Sequence, residues 1–276
     1  AHGLNSIGVP FRIVQSIELA LEHDVILVYP SITGSNATPD PLSALADHVR
    51  RGNTLIGFSI IGGGMPALFG FETTEERRDL LAVDFDRTQF PADFFRDSVE
   101  TNIRLASLVD PVPFPGVSYH NLKHPAVASY DDGSAAITHN FFNAGERIGH
   151  AYGIGFDFGH FILRAQNNRF FGLADTYVND YQPKLDTLLR FLARVYTEGS
   201  RDAVQLLTTP FNREFTALIT HDIDYTRSLE NTLIYADFEF SQNIPATYFI
   251  QTKYVTDYND SLFFTQESQS ILNRLD

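Results

Sequence analysis

Two carboxylates stand two residues apart at the end of an apolar run. Asp222 and Asp224 follow the run Phe215 to Ile219, with Thr220 and His221 between. Such a run predicts a buried strand, and its carboxyl end is the edge at which α/β proteins place their chemistry. Two acids at this spacing can serve one metal ion or divide general acid and base work. The pair is also compatible with a strand-end Asp that only caps the next turn.

The residues that follow predict the unit that positions this pair. Ser228 to Gln242 predicts a helix, and Ile244 to Ile250 predicts a second buried strand. The apolar residues on one side of that helix are Leu229, Leu233, Ala236 and Phe240. Strand, helix and strand in this order predict a βαβ unit with acids at its first turn.

Both ends of this unit carry a motif. They read His221-Asp222-Ile223-Asp224 and, about twenty residues later, Ala246-Thr247-Tyr248-Phe249. In order and spacing they resemble the first two motifs of the polysaccharide deacetylase family, the NodB homology domain. The resemblance covers roughly the last sixty residues of the chain. It departs from the pattern at Ile223, which separates aspartates that many members carry side by side.

The resemblance implies a metal-dependent hydrolase that removes N-acetyl groups from a sugar polymer or glycan. It implies Asp222 as the general base and Asp224 as a ligand of Zn²⁺ or another divalent metal, with His221 and Tyr225 in the pocket. The family completes its metal site with a later His-x-x-x-His, whereas no histidine follows His221 here. We therefore expect a fragment without activity of its own, from a protein of the extracellular space, periplasm or cell envelope.

Two other functions stay open at this point. One is a carbohydrate-binding or scaffolding protein whose deacetylase-like part is catalytically inactive. The other is a small-molecule amide hydrolase, which shares the metal chemistry and differs in the shape of its cleft. Finding His-x-x-x-His beyond Asp276 would favour an enzyme.

The earlier part of the chain predicts a separate α/β domain. Asp24 to Pro30 and Asn53 to Ile61 predict strands, and Pro41 to Arg51 predicts a helix between them with Asp40 as its N-cap. Asp131-Asp132-Gly133 predicts a hairpin turn further along. This run of elements resembles the class I glutamine amidotransferase-like domains of flavodoxin type. Since the chain has no cysteine, the resemblance implies a non-catalytic relative.

A helix from Pro183 or Lys184 to Glu198, with Gly199 at its end, closes this domain. We therefore predict a glutamine amidotransferase-like domain at 1–205 and the start of a deacetylase domain at 206–276. The predicted fold class is α/β: a flavodoxin-like parallel sheet followed by the first strands of a truncated (β/α) deacetylase barrel.

Two further groups have a structural and a functional interpretation. Gly62 to Gly64 indicates either a tight turn or a phosphate cradle, and it lacks the Lys and Ser/Thr of a P-loop. His120 and His124 have the spacing of two ligands on one helical face, but Pro125 follows, so we favour a solvated or locally bonded pair. His139, His150 and His160 are predicted to be structural.

Charge and composition exclude several classes of function. The chain has 34 Asp and Glu against 20 Lys and Arg, a net charge of -14. This balance argues against nucleic acid and anionic membrane surfaces as partners. No apolar stretch reaches the length of a membrane span. The absence of cysteine excludes a disulfide framework and a thiol nucleophile, and the oligomeric state stays open.

Overall fold

The computed structural model describes residues 1–35, 37–106, 113–167, 184–207, 209, 213, 216–250 and 265–275. The chain divides into two compact units, unit 1 from Ala1 to Thr208 and unit 2 from Thr209 to Asp276. The predicted division lay between residues 205 and 206. Each unit has its own sheet.

Unit 1 contains a sheet of nine strands among its described residues. The strands are β1 Val25–Val28, β2 Thr54–Phe58, β3 Thr73–Leu80, β4 Ala82–Phe85, β5 Asn102–Arg104, β6 Phe114–His120, β7 Ala128–Tyr130, β8 Ala135–Ala144 and β9 Arg147–Ile154. Their main order is β1-β2-β9-β8-β7-β4-β5, while β3 pairs with β6 and β6 pairs with β8.

Helices flank this sheet. They are α1 His2–Ser6, α2 Ile17–Ala20, α3 Pro39–Arg50, α4 Pro66–Phe69, α5 Ser98–Thr101, α6 Phe158–Asn167 and α7 Leu185–Gly199, with one 3₁₀ turn at Ala92–Phe94. Within the described residues, no helix is long and apolar enough to cross a membrane.

The predicted α/β class is confirmed, but the sheet is mixed rather than parallel throughout. Strands β1, β2 and β9 are parallel, and the pairs β9-β8, β8-β7, β7-β4 and β4-β5 are antiparallel. Short turns join β7 to β8 and β8 to β9, and a hairpin can join only antiparallel neighbours. One turn holds Gly133, as the Asp-Gly pattern predicts, and another holds Gly145; both have positive φ.

The core lies on both faces of the parallel part. Leu55 of β2 packs with Leu45 and Val49 of α3 on one face. Ile56 of β2 packs with Leu188 of α7 on the other. Since successive side chains of a strand point to opposite faces, β2 is buried along its whole length between two helical layers.

Two predicted helix ends are wrong. Helix α3 begins at Pro39 with Thr38 as its N-cap, so Asp40 lies in the first turn instead of capping it. Pro39 fits the first helical position because it needs no hydrogen bond there. Gly199 is the last residue of α7 rather than the residue after the helix. Its lack of a side chain allows close packing, since a Cβ there would lie 2.5 Å from Oγ1 of Thr54.

Unit 2 has the predicted order of strand, helix and strand, but its first strand overlaps the predicted run Phe215 to Ile219 only at Ile219, and neither strand is buried along its whole length. Its described elements are β10 Ile219–Ile223, α8 Thr226–Ser241, β11 Ala246–Ile250 and α9 Gln266–Leu275. Strands β10 and β11 are parallel neighbours, with Asp222 opposite Phe249 in the register. Ile223, Leu229 and Ile271 form the buried core and join β10 to both helices.

Candidate functional site

Asp222 and Asp224 lie at the carboxyl end of β10, where the sequence predicts them. Ile223, between them, points into the core under α8 and α9. Side chains alternate along a strand, so Asp222 points to the opposite face, and Asp224 directly follows the last residue of the strand. Both aspartates are exposed, and neither has a hydrogen-bond partner within the described residues. The structure thus brings two open carboxylates to one edge.

Residues of β11 extend this exposed face. Thr247 and Phe249 are exposed, whereas Tyr248 and Ile250 are partly buried on the side of α8. Phe249 lies opposite Asp222 and is 56% exposed. An aromatic side chain therefore stands beside the carboxylate pair, which suits a substrate with apolar faces.

His221 lies on the other face of β10, away from Asp222. Its Nε2 donates to Oε1 of Glu239 at 2.7 Å. Its ring stacks on Tyr248 at 4.7 Å between centroids and on Tyr235 at 5.4 Å. The carboxylate that His221 binds is therefore Glu239 rather than the neighbouring Asp222.

Glu239 is the residue of this cluster that the sequence interpretation missed. The Tyr248 hydroxyl donates to its Oε2, and His221 donates to its Oε1. These two hydrogen bonds, that of Tyr248 first, hold the pKa of Glu239 below its usual value. Burial and the bond to Glu239 raise the pKa of Tyr248 to about 12. The available signal was the four-residue spacing of Tyr235 and Glu239, which places both on one side of α8.

Tyr225 occupies the N-cap position of α8 directly after Asp224. Its backbone is extended and its side chain is 40% exposed. Tyr225 is therefore the next residue after the two aspartates, and the backbone changes from extended to helical at this position.

The aspartate pair does not form a complete zinc site by itself. In the part of the chain that the structure describes, no group of three or more His, Asp or Glu side chains could hold a metal ion. Catalytic zinc generally takes three protein ligands and keeps a fourth position open. Asp222 and Asp224 supply two carboxylates at most, so a bound metal requires ligands from outside these residues.

The other two groups from the sequence have separate surroundings. His120 bonds Ser118 at 3.0 Å and lies 3.5 Å from Glu75, while His124 stacks on Phe141. The two histidines therefore do not share a ligand position. All of Gly62 to Gly64 have positive φ, so the turn itself requires glycine, and phosphate binding stays a prediction.

Comparison with known proteins adds little to this geometry. No family model and no curated protein matches the sequence. One solved structure that it resembles is the exo-β-1,4-mannosidase Op5Man5 from Opitutaceae bacterium strain TAV5. The TM-score is 0.35 at 16% identity, and the match covers 50% of this chain and 21% of that chain. A likeness this distant supports no conclusion about function.

Proposed function

We propose that unit 2 carries the carboxylate part of a hydrolase that removes N-acetyl groups from a sugar polymer or glycan. One observation carries the proposal: Asp222 lies near the carboxyl end of β10, a strand parallel to β11, on the face that α8 does not cover, and the exposed Asp224 directly follows the strand. In βα units this edge is the usual place for catalytic side chains. The motifs that resemble the deacetylase family fall on these same two strands.

Hydrolysis of an N-acetyl group at this edge requires a general base. A neutral acetamide is a poor electrophile, so a water molecule must lose a proton as it attacks the carbonyl carbon. Asp222 is exposed and free of other partners among the described residues, which leaves its carboxylate able to accept that proton. In the proposal Asp224 binds the metal, which requires further ligands from outside the described residues.

The hydrogen bonds of Glu239 hold the strands that form the same edge. Glu239 belongs to α8, and its two donors, His221 and Tyr248, belong to β10 and β11. These bonds fix the helix against both strands. Their role in the proposal is therefore to position the strand end that carries Asp222, without contact with substrate.

The test compares charge-neutralising variants of the full-length protein. Asp222→Asn removes the base, so we expect acetate release from N-acetylated oligosaccharides to fall about 10²-fold to 10⁴-fold with bound metal retained. Asp224→Ala should lose the metal. Asp237→Asn is the matched control, because Asp237 is an exposed carboxylate on α8. Acetate release and metal content are measured for each variant.

Three outcomes would contradict the proposal. A fully active Asp222→Asn variant would remove the base from its assigned residue. Glycan binding without acetate release by the unaltered full-length protein would instead identify a carbohydrate-binding or scaffolding protein. Hydrolysis of small amides alone would assign the site to a small-molecule amide hydrolase.

We also propose that unit 1 is a non-catalytic relative of the glutamine amidotransferase-like domains. The parallel strands β1, β2 and β9 between α3 and α7 support this, although the rest of the sheet is antiparallel. Ser59 follows β2 with a positive φ of 42°, at the carboxyl edge of these strands. Ammonia release from glutamine that Ser59→Ala abolishes would contradict a non-catalytic role.

A further inference from the structure

A ladder of rings lies on one face of the hairpin formed by β8 and β9. The register pairs His139 with Tyr152 and Phe141 with His150. His139 stacks on Tyr152 at 4.4 Å between centroids, and its Nε2 lies 2.9 Å from Nδ1 of His150. His124 stacks on Phe141 at 4.7 Å. Residues that are far apart in sequence thus form one aromatic surface.

A cleft of about 180 Å³ opens beside this surface. Its lining residues are Gln89, Phe90, His124, Pro125, Val127, His139 and Phe141. A cleft of this size suits one small ring and is well below the volume of a pocket for a drug-sized ligand.

One nitrogen atom at the cleft, Nε2 of His124, is buried and has no hydrogen-bond partner within the described residues. The neighbouring His139 uses its Nε2 for a bond to His150. Buried polar atoms are normally satisfied, so an orphan nitrogen beside a cleft points to a ligand or water that bonds it.

The lining contains no carboxylate, ammonium or guanidinium group, since none of its residues is Asp, Glu, Lys or Arg. Burial, followed by the neighbouring His150 and His124, lowers the pKa of His139 to about 3, and burial also lowers the pKa of His150. Both rings are therefore neutral at pH 7. The cleft offers hydrogen bonds and aromatic faces, which do not compensate the desolvation of an ion.

We propose that this cleft binds a single neutral pyranose ring. A pyranose has apolar C–H faces that can lie against Phe90 or Phe141 and hydroxyls at its edge that can bond His124 and His139. An aromatic hydrocarbon fits the rings equally well but leaves Nε2 of His124 unpaired, at a cost in affinity. The site lies wholly in unit 1 and does not depend on the chemistry proposed for unit 2.

The absence of tryptophan from the chain allows a direct test. Phe141→Trp places the sole indole at the cleft, on a side chain that is already 47% exposed. Titration with neutral methyl pyranosides should give a saturable change in its emission, with a Kd on the order of 1 mM for a ligand of this size. Ile13→Trp, at a position that is 76% exposed and outside the cleft lining, should show no change.

Ligand-observed NMR on the unaltered chain decides the matter if the tryptophan disturbs the cleft. We expect saturation transfer to at least one methyl pyranoside, a loss of affinity of about tenfold in His124→Phe, and recovery in His124→Gln, which restores a polar group. Absence of transfer to every pyranoside would overturn the proposal. So would binding of phenol without binding of any sugar.

Discussion

At the scale of single residues, Glu239 ties the stability of unit 2 to pH. Its hydrogen bonds from Tyr248 and His221 hold its pKa below the usual 4.5. A depressed carboxyl pKa stabilises the folded state above the unfolded pKa, and this contribution is lost as the pH falls through the folded value. Unit 2 should therefore loosen on acidification below about pH 4.5.

Glu239→Gln tests this linkage, because an amide cannot carry the charge. We expect weaker hydrogen-exchange protection of the amides of β10 and β11 at pH 7 and a smaller further loss toward pH 3. Glu230→Gln is the control, since Glu230 is exposed on the same helix. Equal protection in Glu239→Gln and the unaltered chain at pH 7 would show that the cluster does not hold the strands.

At the scale of elements, the packing of α3 on β9 depends on Gly149. A Cβ at this position would lie 1.8 Å from the carbonyl oxygen of Val49, the helix residue above it. The helix backbone must then move, because a carbonyl oxygen cannot rotate away as a flexible side chain can. We expect Gly149→Ala to lower the free energy of unfolding by about 3 kcal/mol, the upper end of the cost of overpacking.

Gly133→Ala provides the comparison for this substitution. Gly133 has φ +85° and nothing within 4 Å of an added Cβ, so its cost is only that of the left-handed backbone, about 1 kcal/mol. Urea unfolding followed by circular dichroism measures both variants. If Gly149→Ala costs no more than Gly133→Ala, the close approach of α3 to β9 is not as the structure has it.

Among the elements, those with local signals could be predicted from the sequence. The order of elements from β10 to β11 was predictable because its signals are local: an apolar run, a helical period and a second apolar run. The bounds of β10 were not, since the strand begins where the first apolar run ends. The hairpin at Gly133 was predictable from its Asp-Gly turn. Pairing of Thr54 with His150 was not, because it joins strands far apart in sequence whose apolar patterns suit several neighbours.

For side chains as well, positions that depend on neighbouring residues could be predicted, whereas partners from distant parts of the chain could not. The positions of Asp222 and Asp224 at a strand end depend on neighbouring residues and were predicted. The partner of His221 depends on how α8 lies across β10, and the meeting of His139 with His150 depends on the register of β8 and β9. To identify the partners of these histidines from the sequence, the register of the strands and the packing of α8 would have to be predicted first.

At the scale of the whole molecule, the excess of acidic residues sets the long-range field. A net charge of -14 repels the phosphate backbone, which supplies most of the affinity in nonspecific binding of nucleic acid. Arg77 illustrates how acidic side chains neutralise a cation locally, since it bonds both Asp79 and Asp132. Local pairs of this kind reduce the positive potential that could attract an anion.

We therefore expect no binding to DNA or RNA even at low ionic strength, where attraction between opposite charges is screened least. A gel-shift titration with a duplex and with a single strand measures this, and retention on an anion exchanger at pH 7 serves as the positive control for the sign of the charge. Binding that weakens steeply with added salt would show a cationic patch strong enough to overcome the net charge, and would contradict the exclusion of nucleic acid as a partner.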